Sequence, residues 1–68
     1  MSAREVTVTV RARAFGGVLA EHQCLVDLDE PRVRVWDRIG NIYTVCHSLS
    51  PRDTARIVRL ARREAQAS

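Results

Sequence analysis

Lysine is absent from this sequence, and all eleven of its basic side chains are arginines, set against eight acidic residues for a net charge of +3. Arginine presents a planar fork of donors to phosphates and carboxylates, so the bias is consistent with a phosphate-binding surface. A GC-rich genome, whose codons favour arginine over lysine, explains the same bias. Arginine also stands at surface positions with no evident role, such as Arg4, so the bias alone is weak evidence for phosphate binding.

Long hydrophobic runs are also missing. No apolar stretch approaches the roughly 18 residues that a membrane-spanning helix needs. Residues 6–10 alternate valine with threonine, which indicates a strand rather than the apolar block of a signal peptide. We therefore expect a cytoplasmic protein with no membrane partner. With 68 residues the chain has room for one domain with a small core.

Cysteine and histidine are scarce, with two of each. Cys24 and Cys46 are expected as reduced thiols buried in the core, and a disulfide between them is the alternative. With His22 and His47 they match the ligand types of a zinc site. However, Cys46 and His47 are neighbours on a predicted strand and point to opposite faces, which argues against zinc and against a nucleophile–base pair. No glycine-rich phosphate loop precedes a helix. We predict a non-enzymatic protein without metal or cofactor.

The residues that are present alternate between apolar and polar with period two, which predicts antiparallel strands. Short turns with glycine and an acidic connection ending in Pro31 separate four such segments. The predicted strands cover about 4–14, 18–28, 32–37 and 41–48. Consecutive hairpins of this kind give the spatial order 1-2-3-4.

The register of the first hairpin follows from its apolar rows. A two-residue loop would set the apolar face of one strand beside the polar face of the other. A three-residue loop at 15–17 instead pairs Ala12 with Ala20 and keeps the apolar rows together. In that loop Gly17 is expected in the left-handed conformation.

The second hairpin is less determined. A similar three-residue loop at 38–40 pairs Val35 with Tyr43. Trp36 then lies on the face opposite to Val33 and Val35. The tryptophan favours burial of its own face and the valines favour theirs, so either face of this hairpin fits the pattern.

A helix over about 51–66 has the clearest start, with Ser50 as cap, Pro51 at the first helical position and Asp53 in a capping-box-like spacing. Its apolar side carries Ile57, Val58, Leu60 and Ala61 and should cover the sheet. The predicted fold class is α+β: a four-stranded antiparallel β-meander of two hairpins, with one C-terminal α-helix packed on a sheet face.

The other side of this helix carries an arginine stripe, defined as Arg52, Arg56, Arg59 and Arg63. The spacing i, i+4, i+7, i+11 follows the helical repeat, so the four guanidinium groups share one face. Such a face binds the phosphates of nucleic acid or an acidic protein surface. It is equally the polar side that any helix on a sheet must turn to solvent.

Two further surfaces bear on partners. A second basic group lies on the strands and consists of Arg11, Arg13, Arg32 and Arg34. It either pairs with acids such as Glu21 across the sheet or, beside an exposed Trp36, forms a stacking platform for unpaired bases. The first strand is an uncharged sheet edge over 6–10. The alternatives there are a homodimer through the strand edge and a monomer whose edge is blunted by Glu5 and Arg11.

Overall fold

Five elements of secondary structure follow one another in the computed structural model, which describes residues 4–67. They are β1 (Glu5–Arg13), β2 (Leu19–Asp27), β3 (Arg32–Asp37), β4 (Ile42–Thr44) and α1 (Pro51–Ala67). The strands form one antiparallel sheet in the order β1-β2-β3-β4, and α1 packs on one of its faces. The α+β meander with a C-terminal helix is therefore confirmed.

The first hairpin has the predicted register but a different turn. Ala12 pairs with Ala20, as the apolar rows require. The residues with positive φ are Phe15 (57°) and Gly16 (69°), and the Gly17 N–H bonds to the Ala14 carbonyl at 3.0 Å. The left-handed position expected for Gly17 is thus wrong. Two consecutive positive φ angles are typical of a type I′ turn. Gly17 and Val18 follow this turn, and β2 begins at Leu19.

The second hairpin differs from the prediction by one residue. Tyr43 pairs with Trp36, whereas a three-residue loop would have paired it with Val35. The loop has four residues because the Asp37 carboxylate accepts the backbone N–H two positions on, at 3.0 Å, and Asn41 takes a positive φ of 55°. A side-chain-stabilised turn ending in a left-handed asparagine therefore overrides the glycine pattern that suggested a shorter loop.

β4 also ends at Thr44, short of the predicted limit at residue 48. From there the chain leaves the sheet and reaches the first hairpin turn. The Cys46 thiol accepts the Phe15 N–H at 3.1 Å, and the Ser48 hydroxyl accepts the Gly16 N–H at 3.0 Å. These bonds fix the path of the chain between the end of β4 and the start of α1.

The core lies between α1 and the valine face of the sheet, which decides the open question about β3. Its largest fully buried side chains include Val26, Val35 and Ile57, and Leu60 packs at its margin. Trp36 and Tyr43 lie on the opposite, uncovered face with their rings 4.9 Å apart and edge to face. The core is small because alanines occupy several of the buried positions.

The start of α1 is stabilised by Ser50. Its hydroxyl accepts the Asp53 N–H at 3.1 Å, and its carbonyl accepts the Thr54 N–H at 2.9 Å. The serine thereby satisfies a backbone donor of the first turn that has no partner inside the helix. This cap fixes where α1 begins and thereby how its apolar and basic sides are oriented.

Candidate functional site

The arginine stripe lies on the side of α1 that faces away from the sheet. Ile57 and Ala61 point into the core, and the helical repeat puts the stripe on the other side. Arg52, Arg59 and Arg63 are exposed. The structure thus brings the four predicted side chains to one face of α1. The remaining one, Arg56, has a different environment.

Arg56 is half-buried and tied to the sheet. Its guanidinium donates to the Arg11 carbonyl at 2.6 Å and lies 3.4 Å from the Asp53 carboxylate. The carbonyl of Arg4, an even-numbered residue, faces β2 and accepts the Leu28 N–H at 2.9 Å. Because antiparallel strands alternate, odd-numbered residues of β1 turn their backbone groups to the free edge. Arg56 therefore satisfies an edge carbonyl of β1 and is tied to the sheet.

The net charge of the protein resides on α1. This helix carries five arginines against two acids, whereas the rest of the chain carries six of each. Within residues 4–67, the ion pairs are Arg32–Glu30 and Arg56–Asp53. Arg59 and Arg63 therefore project without ionic partners, as do Arg52 and Arg62. Arg62 lies beside the predicted stripe, and its exposure extends the basic surface.

An open apolar groove of about 720 Å³ runs along one flank of the stripe. Its lining includes Leu49, Pro51 and Val58, together with Arg59 and Arg62. Sequence reasoning missed this groove because its walls come from the β2–β3 turn, the segment before α1 and α1 itself. Apolar walls beside two guanidinium groups suit an occupant with both apolar and acidic groups.

The outer face of the sheet has more balanced charge. Arg11 lies opposite Glu21, and Arg32 opposite Asp27. Such opposite-charge pairs across strands are ordinary sheet chemistry. Trp36 shares this face, half-buried against Tyr43. The strand arginines are thus largely offset by neighbouring acids, unlike those of α1.

The two cysteines have opposite electrostatic environments. Burial, followed by the nearby Cys46, raises the pKa of the Cys24 thiol to about 11. Burial also acts to raise the pKa of Cys46, but hydrogen bonds from the Ser48 hydroxyl and from the backbone N–H groups of Phe15, Ser48 and Leu49 outweigh it and lower that pKa. Both thiols are free.

These thiols do not belong to a cluster of metal-ligating side chains in the described part of the chain. There, no group of three or more His, Cys, Asp or Glu side chains could hold a metal ion. His47 is exposed, and the hydrogen-bond partners of the Cys46 thiol include the Phe15 N–H and the Ser48 hydroxyl. Those bonds anchor the loop before α1 to the first hairpin turn.

Comparisons with known proteins were made at three levels. A scan against protein-family models found no match, and searches of curated proteins and of solved structures found none either. Over residues 4–67, no helix combines the length and the apolar composition that crossing a membrane requires. The basic surface of α1 remains the feature with the clearest chemistry for a partner.

Proposed function

We propose that this protein is a small non-enzymatic accessory protein of the cytoplasm that binds nucleic acid through the exposed arginines of α1. The observation that carries the proposal is the segregation of charge. All of the net positive charge lies on one helix, and Arg59 and Arg63 have no ionic partner within residues 4–67. A basic stripe along one helix is the electrostatic footprint of a phosphate-binding surface.

The geometry of α1 suits a run of phosphates. From Arg52 to Arg63 the helix rises about 16 Å, at 1.5 Å per residue. Arginine forks bind phosphate oxygens with two parallel hydrogen bonds, so each contact is charge-assisted. The Ser50 cap and the hydrogen bond from Arg56 to the Arg11 carbonyl fix the orientation of the stripe. The remaining arginines are therefore presented on a rigid element.

Salt dependence is the first test of the proposal. Fluorescence anisotropy with labelled duplex and single-stranded DNA and RNA should show binding at low salt. One phosphate contact from each exposed arginine of the stripe (Arg52, Arg59 and Arg63) makes three contacts. A plot of log K against log salt concentration should then have a slope of about −3 for duplex and about −2 for single strands. Absence of binding at micromolar protein in low salt would reject nucleic acid as the partner.

Paired variants with equal charge test the position of the surface. Arg59→Ala with Arg63→Ala should weaken binding at least tenfold and lower the salt slope by about 2 units. The control, Arg13→Ala with Arg32→Ala, removes the same charge from the outer face of the sheet and should change affinity little. Equal losses in both variants would mean that net charge, rather than the stripe, governs binding.

The groove beside the stripe supports a second candidate function, an interaction or inhibitor module for an acidic protein surface. Apolar walls flanked by Arg59 and Arg62 match a peptide with alternating apolar and acidic residues. Pull-down from native lysate, repeated with Arg59→Glu and Arg62→Glu, distinguishes the two functions. A captured protein that survives nuclease treatment and is lost in this variant would favour the module.

A further inference from the structure

The exposed apolar side chains of this protein are concentrated at one end of the sheet. In residues 4–67, five of the six large apolar side chains left exposed belong to or flank the two hairpin turns. They are Phe15, Val18, Leu19, Ile39 and Ile42. In a meander the β1–β2 and β3–β4 turns lie at the same end. We call this surface the hairpin end.

Two of these side chains are exposed to an unusual degree. Ile39 is 99% exposed and Val18 is 80% exposed. Single exposed apolar residues are common, but a cluster confined to one end marks an interaction surface. The turn that presents Ile39 is held by the Asp37 carboxylate and by the left-handed Asn41. Ile39 is thus displayed from an ordered turn.

A slot lies between the two turns. Its volume is about 520 Å³, and its lining includes Phe15, Ala20, Trp36 and Ile39. The slot exists because the pairing of β2 with β3 stops at Cys24 and Val35, while β2 extends to Leu19 beside β1 alone. The unequal lengths of the two hairpins therefore leave an apolar recess next to an exposed apolar knob.

Charge indicates what kind of partner fits the hairpin end. The slot carries Glu21, Asp37 and Arg38, so both signs are present. A second copy of the chain could not dock stripe to stripe, because like charges would face each other across the interface. It could dock by the hairpin end, where the mixed charges are compatible with themselves. An identical partner also supplies its own slot and its own Ile39.

We propose that two copies of this chain associate through their hairpin ends, with Ile39 of each copy entering the slot of the other. A two-fold arrangement of this kind is closed, since every contact occurs twice and no apolar end is left over. Pairing of β1 edges is the competing arrangement. Arg56 already occupies the edge carbonyl of Arg11, which obstructs that edge.

Sedimentation velocity and light scattering across micromolar to submillimolar protein test the proposal. The mass should rise from 7.7 kDa to twice that value. Trp36 is the single tryptophan and lines the slot, so its emission should shift to the blue over the same concentrations. Ile39→Lys should weaken association at least tenfold without unfolding the protein, because this side chain is exposed.

Three further variants sharpen the result. Ala55→Lys adds the same charge at an exposed site on α1 and should leave the dimer intact. Arg59→Ala with Arg63→Ala should also leave it intact, which separates this proposal from nucleic-acid binding. Thr9→Pro removes an N–H that faces the free edge of β1. A monomer at all concentrations would overturn the proposal, as would a dimer that survives Ile39→Lys and is lost in Thr9→Pro.

Discussion

Residues of one type take different roles in this protein, and burial decides which. Arg56 and Arg59 are three positions apart on the same stripe. Arg56 bends to the sheet and satisfies the Arg11 carbonyl, while Arg59 extends into solvent. The spacing predicted that both would share a face, but the partner of Arg56 lies 45 residues away in the chain. Only the packing of α1 beside β1 brings Arg56 and the Arg11 carbonyl together.

The cysteines show the same dependence on surroundings. Cys24 lies under α1 in the middle of the sheet, where the charged thiolate has no compensating donors. Cys46 lies where the chain leaves the sheet and receives several donors. Sequence reasoning predicted two buried thiols, which is confirmed. It could not predict their opposite pKa shifts, because the donors to Cys46 include the Phe15 N–H from a distant turn.

Cys24 should make the protein lose stability as pH rises from about 9 to about 11. The folded pKa is raised above the unfolded value, so in this window the unfolded chain releases a proton that the folded chain keeps. The unfolded state is favoured by about 2–3 kcal/mol across the window. Urea unfolding under reducing conditions, compared with Cys24→Ala, measures this difference.

The Cys24→Ala variant should be less stable than the parent at neutral pH, because a buried sulfur is lost. Its disadvantage should shrink as pH approaches 11, since the variant has no thiol at this position to ionise. Any ionisation that the two proteins share cancels in the comparison. Parallel loss of stability in the two proteins would contradict the assignment.

At the scale of elements, strong local patterns predicted most boundaries. β1 and β2 begin and end within one residue of the predicted limits, and β3 begins and ends at them. The register of the first hairpin followed because one slip would turn its apolar row to solvent. The second hairpin was predicted one residue out of register. β4 has only three residues, and no long apolar row opposes a slip.

The cap of α1 gives a prediction at this scale. Ser50→Ala should lower the free energy of unfolding by about 1 kcal/mol, because the Asp53 N–H loses its acceptor. Ser50→Asp keeps an oxygen at the cap and should retain most of the stability. Urea denaturation followed by circular dichroism measures both. An unchanged midpoint in Ser50→Ala would show that the cap adds little beyond tertiary packing.

At the scale of the molecule, the core is small and the charge is divided. The sheet and its loops carry equal numbers of acids and bases, while α1 carries the excess. The same helix closes the core through Ile57, Val58 and Ala61. One element therefore provides both the closing side of the core and the candidate binding surface. Loss of its packing should abolish both together.

Ile57 tests how much of the whole fold depends on this packing. It is fully buried, and truncation of such a side chain to alanine costs about 2–5 kcal/mol. A domain of this size has only about 3–5 kcal/mol in total. Ile57→Ala should thus be largely unfolded at 25 °C by circular dichroism. Ile57→Val should remain folded with a loss of about 1 kcal/mol. Cooperative unfolding of Ile57→Ala near the parent midpoint would contradict this view.

The α+β class, the strand order, the helix start and the basic side of α1 follow from patterns within a few residues, because period and capping act locally. Tertiary structure alone decided that the valine face of β3 is covered, that Arg56 holds the β1 edge and that Phe15 and Ile39 meet at one end. Each of these depends on contacts between segments distant in the chain. Such contacts are selected by the burial of the whole core, which no local pattern encodes.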